Sequence, residues 1–290
     1  MKNILRLSPI INLEKHCLEG EIINLNVGYD GLLYILIDKK RSDYTLQVCA
    51  FSESEIVLDI EIKRERFHIY YLHPLPNDQI LLVNPTAPEW WPKEFYENGR
   101  IYGKDGVFRR GIRLGDAIKD VQVTSNGVIW VGYSYYGDEV LGLAAWDLSG
   151  KQLYRFSPSD GLPYMSHCYT LNVASNDSTW FYHDSDFPLV SLQSYRVEGL
   201  WSIPISGSDA FAVSGNKVII RGYDDRRLYS VYKLCPKSFF PIKAFEILYE
   251  GSGKKVTQRV KSRGNRFWIQ RNNKIYSFTV EDALIQLAGK

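Results

Sequence analysis

The sequence predicts an all-β fold: a six-bladed β-propeller of four-stranded antiparallel blades, its ring closed by the N-terminal strand. Three observations carry this reading. One hairpin unit recurs six times along 290 residues. Further short β-rich runs fill every interval between those hairpins, and helical periodicity is confined to the tail.

The unit is an apolar alternation, a tight turn of Asn, Asp or Gly, and a strand with a large residue a few places on. It reads LNVGYDGLLYIL around Asp30-Gly31, HPLPNDQILLV around Asn77-Asp78 and VTSNGVIW around Asn126-Gly127. It recurs as LNVASNDSTWFY around Asn176-Asp177, FAVSGNKVIIRG around Gly215-Asn216 and VKSRGNRFWIQ around Gly264-Asn265. Such pairs tolerate the positive φ that tight hairpins need. The aligned large residues are Tyr34, Leu81, Trp130, Trp180, Ile219 and Trp268, spaced 47, 49, 50, 39 and 49 residues apart. Four short strands every ~40–50 residues is the spacing of propeller blades.

Blades are therefore expected to start near residues 22, 67, 118, 169, 209 and 256, within a single domain spanning 1–290. The last repeat lacks an outer strand, and the run NILRLSPIINL has no partner of its own. Residues 3–13 are expected to complete the last blade, which would also cover an edge that invites aggregation. The tail VEDALIQLAG reads as one short helix.

Composition narrows the function classes. The net charge of +2 provides no global field toward nucleic acid or acidic membrane. Four scattered cysteines, Cys17, Cys49, Cys168 and Cys235, fit neither a zinc module nor a dense disulfide framework. Arg6 and Pro9 interrupt the N-terminal apolar residues, so no signal peptide is read. No window approaches ~18 uninterrupted apolar residues, so no membrane span is expected. The expected compartment is the bacterial cytoplasm, with no cofactor and no metal.

Strands of an antiparallel blade alternate direction, so second-to-third loops and blade connections share one end. The recurring tight turns lie at the other, plain end. The long loops are NPTAPEWWPKEFYENG, YSYYGDEVLG, YHDSDFP and GYDDRR. They bring Trp90, Trp91, Tyr96, Tyr133, Tyr135, Tyr136, Asp138, Glu139, His183, Asp184, Asp186, Asp224 and Asp225 toward one rim. Rings with polar neighbours, on loops of a rigid scaffold, are what binding faces are made of. Any one such ring equally serves as strand packing.

The favoured expectation is thus a non-catalytic propeller that binds a protein or another ligand through this face. An alternative is a metal-assisted hydrolase or lyase using His183, Asp184, Asp186 and Glu139, since carboxylates and imidazole suit divalent cations. Yet Asp-x-Asp in a loop is also ordinary turn chemistry, and no nucleophile elbow or phosphate-binding glycine loop occurs. A second alternative rests on Lys254, Lys255, Arg259, Lys261, Arg263, Arg266, Arg271 and Lys274, a basic last repeat that could bind a polyanion such as nucleic acid.

The run SNGVIWVGYSYYG followed by GLAAWDLSGKQLYRFSPSDGLP, roughly residues 125–163, resembles a repeat of the propellers in bacterial two-component sensor proteins. The stretch CYTLNVASNDSTWFYHDSDFPLV is similar to segments of uncharacterised bacterial propeller-like proteins. These resemblances imply the fold and carry no catalytic residue. Six-bladed calcium-dependent lactonases share the blade count, but their metal ligands find no match here.

Overall fold

The tight turns adopt the backbone that their residues favour. In the computed structural model, Gly31, Asn77, Asp78, Gly127, Gly215 and Gly264 all have positive φ, between 54° and 85°. At Asn176-Asp177 the turn is closed differently: the N–H groups of Asp177 and Ser178 both donate to Ser175 Oγ. The structure describes residues 3–16, 18–87, 96–134, 142–158, 162–251 and 258–288.

The strands, in chain order, begin with β1 (Ile4–Leu7) and β2 (Ile11–Asn12). Blade one is β3 (Glu21–Val27), β4 (Leu33–Asp38), β5 (Leu46–Ser52) and β6 (Glu55–Ile62). Blade two is β7 (Tyr71–Leu75), β8 (Gln79–Val83), β9 (Gly99–Gly103) and β10 (Phe108–Ile112). Blade three is β11 (Ile118–Val123), β12 (Ile129–Tyr133), β13 (Leu143–Trp146) and β14 (Gln152–Arg155). Blade four is β15 (Cys168–Val173), β16 (Ser178–His183), β17 (Pro188–Gln193) and β18 (Arg196–Ser202). Blade five is β19 (Ser208–Ser214), β20 (Lys217–Gly222), β21 (Leu228–Cys235) and β22 (Ser238–Tyr249). Blade six is β23 (Gln258–Arg263), β24 (Arg266–Arg271) and β25 (Lys274–Thr279), followed by helix α1 (Val280–Ala288). Within each blade the strands named above follow one another in chain order and pair antiparallel, and the chain is a six-bladed β-propeller with four-stranded blades.

By contact density the chain divides into two units, one of residues 18–157 with 166–168, the other of residues 1–17, 158–165 and 169–290. In the first, blades one and two share a core of Leu36, Val48, Leu72, Leu82 and Tyr102. Blades two and three share Leu81, Ile101, Val121, Val131 and Tyr133. Asn98 links the strands from inside: its amide donates to the carbonyls of Asn84 and Gly115, and its oxygen accepts from Leu114 N–H. In the second unit, Trp180, Phe211 and Ile220 pack blade four on blade five, and Tyr229, Phe245, Phe267 and Phe278 pack blade five on blade six. Buried Asn172 of blade four donates to Phe211 O of blade five and Gly264 O of blade six, and accepts from Gly264 N–H. The six aligned residues of the repeat, Tyr34, Leu81, Trp130, Trp180, Ile219 and Trp268, are all core residues.

The N-terminal run does not form one strand. β2 takes the outer place on blade six, pairing Ile11 with Ile275 and Asn12 with Lys274. β1 instead joins blade five as a fifth strand, parallel to β22, with Ile4 opposite Glu246 and Leu7 opposite Tyr249. Pro9 lies between the two segments and has no N–H to continue a ladder. The far edge of β1 is closed by Gln286 of α1. Its side-chain oxygen accepts from Arg6 N–H at 2.6 Å and its amide donates to Arg6 O at 3.3 Å. That helix is set by a reciprocal cap: Asp282 N–H donates to Thr279 Oγ1, and Thr279 N–H to the Asp282 carboxylate. Among the described residues no helix is long and apolar enough to cross a membrane.

Candidate functional site

Of the residues expected at the rim, Trp90, Trp91, Tyr135, Tyr136, Asp138 and Glu139 lie outside the described residues. Two others are placed inside. Tyr133 is fully buried; its hydroxyl donates to Leu114 O and accepts from Trp146 Nε1. Tyr96 is buried against Phe67, with ring centroids 5.8 Å apart. Both rings serve packing in the first unit.

Of the remaining candidates, His183 ends β16, and Asp184, Asp186, Asp224 and Asp225 belong to the β16–β17 and β20–β21 loops of the second unit. Here the structure builds a patch. Tyr169, near the start of β15, lies 6.1 Å from the Phe187 ring and 6.4 Å from the Tyr223 ring. Tyr223 is exposed, Tyr169 and Phe187 half-buried. Gly207 (φ 73°) makes the floor, where a Cβ would sit 3.3 Å from Tyr223 Cβ and 3.4 Å from the Tyr169 ring. A larger residue at this positive φ would be strained and would press on both rings. Sequence reading missed Tyr169, whose strand register resembles that of any packing residue.

The carboxylates converge on the same rings. Burial raises the Tyr169 hydroxyl pKa, and the negative charges of Asp184 and Asp224, with Tyr223, raise it further. Asp186 is exposed at the tip of the β16–β17 loop. That loop holds three consecutive non-glycine residues at positive φ: Ser185 (57°), Asp186 (71°) and Phe187 (50°). Each such residue costs roughly 1–2 kcal/mol against a right-handed conformation. Strain of this kind persists where surrounding structure imposes it, and it concentrates at functional loops.

His183, at the end of β16, is stacked on Phe181 at 5.7 Å and entirely buried. Burial pushes its pKa down to about 4, with the nearby Asp184 carboxylate opposing the shift. It is neutral at physiological pH and presents no ring face to solvent. Asp225 is held in turn chemistry: its carboxylate accepts from Arg227 N–H and from the Arg227 guanidinium, both at 3.1 Å. Among the described residues no group of three His, Cys, Asp or Glu side chains is placed to hold a metal ion. In the basic last repeat, Phe267 and Trp268 are core residues and offer no stacking platform. What the patch offers is three rings with the Asp184 and Asp224 carboxylates near them, the chemistry that receives a cation.

Arg226 shows that chemistry within the chain. Its guanidinium lies over the Tyr223 ring, 4.8 Å from the centroid.

Comparison with known proteins bears on the fold. The description "YxzG family" matches residues 144–278, and no curated protein matches the sequence. Among solved structures, the chain is similar to Hsv2 of Kluyvelomyces marxianus, with a TM-score of 0.54 and 12% identity over 90% of this chain and 77% of that one. It is similar to a chain of the mitotic checkpoint complex, with a TM-score of 0.56 and 6% identity over 88% and 76% of the two chains. It is also similar to the WD40 repeats of RRP9, with a TM-score of 0.56 and 8% identity over 89% and 80%. At these identities the likeness is one of fold.

Proposed function

We propose that the protein is a non-catalytic interaction propeller that takes a cationic segment of a protein partner on the Tyr169–Phe187–Tyr223 patch. The observation that carries this reading is the meeting of three rings with the Asp184 and Asp224 charges, beside a loop held at positive φ. Rings preset by packing lose little entropy on binding, and an Arg or Lys over an aromatic face gains ~0.5–2 kcal/mol. Asp184 and Asp224 add a field of the matching sign. The propeller fold shared with a checkpoint-complex chain and with WD40 repeats supports an assembly role. The sensor-like repeat at 125–163 supports the scaffold only. A cytoplasmic location fits such a role.

A peptide-display selection tests the proposal. The wild-type protein is expected to enrich Arg- and Lys-rich peptides, and the Asp184→Asn/Asp224→Asn pair to lose that enrichment. Tyr223→Ala should weaken binding about twofold to thirtyfold with an unchanged melting temperature. Equal enrichment by the wild type and the charge-removed pair would overturn the proposal.

A further inference from the structure

A cavity of about 220 Å³ opens in the second unit, between the β20–β21 loop, the end of β22 and the facing ends of β23 and β24. Arg226 and Arg227 enter from the loop, Arg271 from the end of β24, and Glu246, Tyr249 and Gln258 complete the polar lining. Among the described residues, three arginines and a single acidic residue, Glu246, thus line one small space.

Arg271 is the best ordered of the three by its contacts. Its guanidinium lies over the Tyr249 ring, 4.1 Å from the centroid, and donates to Gln258 Oε1 at 3.3 Å. Gln258 in turn donates from its amide nitrogen to the Tyr249 hydroxyl at 3.3 Å. Ring, amide and guanidinium therefore brace one another, and the fork is oriented in advance. Arg227 is paired with Asp225, but Asp225 stands outside the lining and is itself half-exposed. Arg226 approaches Asp209 only to 3.8 Å, while Arg221 claims the same carboxylate oxygen more closely. Exposed pairs of this type contribute little and exchange partners readily.

We propose that this cavity binds a compact phosphate monoester group. Its volume equals about seven waters in liquid packing. That is below the ~300–1,000 Å³ of pockets that enclose whole drug-sized ligands, so it fits a head group. Three lining arginines with an amide beside them match a tetrahedral anion having several acceptor oxygens better than a planar carboxylate. The cavity adjoins the aromatic patch through Arg226, which lines it and lies over the Tyr223 ring. Arg271 and Glu246 line the cavity and are not among the patch rings and carboxylates, so variants at these two positions test the phosphate proposal separately from the patch.

The test titrates the full chain with inorganic phosphate by calorimetry at fixed ionic strength, with acetate as the planar control. Phosphate is expected to bind and acetate not to. Arg271→Gln should weaken phosphate between about tenfold and about a hundredfold, the loss of one charged hydrogen-bonding group. Arg271→Lys should weaken it too, because an ammonium cannot fork. Glu246→Gln should strengthen binding several-fold by removing the repelling lining charge, an effect that misfolding cannot imitate. O-phosphoserine and a sugar phosphate then separate a modified side chain from a small metabolite as the source of the group. Absence of phosphate binding, equal binding of acetate, or an unchanged affinity in Arg271→Gln would overturn the proposal.

Discussion

Arg100 and Arg271 look alike in local chemistry and differ in what surrounds them. Each lays its guanidinium over aromatic rings: Arg100 between Phe67 and Phe108, 4.3 Å from each centroid, and Arg271 over Tyr249 at 4.1 Å. Arg100 is closed in by Glu65, whose side chain is 1% exposed and accepts from Arg100 Nε at 2.7 Å and from the Tyr102 hydroxyl. Arg271 borders an open cavity shared with two further arginines. A cation–π contact therefore says nothing by itself about function. A guanidinium locked to a buried carboxylate is part of the fold, and one braced by a ring and an amide at the edge of a cavity is where the proposed phosphate would bind.

The sharpest way to break this comparison is Glu65→Gln. It leaves the Arg100 charge and the Tyr102 hydroxyl facing a neutral amide. Removing one partner of a buried pair costs ~3–5 kcal/mol. Because the Arg100 side chain keeps 18% exposure, a loss near 3 kcal/mol, about the lower end of that range, is expected in urea unfolding. Arg271→Gln should change the same measurement by less than about 1 kcal/mol, as a partly exposed pair would. Equal losses in both variants would erase the distinction between the two sites.

His183 gives the next largest effect. Its pKa is held at about 4 in the folded chain, against an ordinary value near 6.5, chiefly by burial. The unfolded chain therefore binds a proton in the window between these values and the folded chain does not. The stability associated with the neutral ring is fully present above pH ~6.5 and is lost as pH falls toward 4. A tenfold difference in proton affinity between the folded and unfolded chains is worth ~1.4 kcal/mol, so the loss across the window is of order 3 kcal/mol. His183→Phe, which preserves the stack on Phe181, should flatten that part of the stability–pH curve. A curve that kept its slope would assign the titration to another group.

The blades were legible in the sequence because their signal is local. Gly31, Gly127, Gly215 and Gly264 announce positive-φ turns from the sequence alone, and the residues that follow them alternate as strands must. The route of the N-terminus was not legible, because nothing in NILRLSP distinguishes a parallel partner on β22 from an antiparallel one on β25. The contact from Gln286 back to Arg6, 280 residues away, helps to settle it. The rim was legible in composition but not in depth. Tyr133 and Tyr223 both sit beside loops rich in aromatics, and only the neighbouring strands bury one and expose the other. Arg226 and Arg271 were read in an acidic loop and a basic run. Blade packing is what brings them to one cavity.

The smallest effect concerns Asp186, at the centre of the positive-φ run. Asp186→Gly removes a left-handed penalty of roughly 1–2 kcal/mol and adds about 0.5–1 kcal/mol of backbone entropy lost on folding. The net expectation is a gain of up to about 1 kcal/mol in stability. The same change deletes a carboxylate and loosens the loop that carries Phe187 toward Tyr169, so binding of cationic peptides should weaken. Stability and affinity moving in opposite directions is the signature of strain retained for recognition. Asp186→Asn separates the two causes, since Asn tolerates the left-handed backbone but carries no charge. If Asp186→Gly destabilised the fold while peptide binding stayed intact, the loop would be a structural turn, and Tyr223 with Asp224 would remain as the core of the patch.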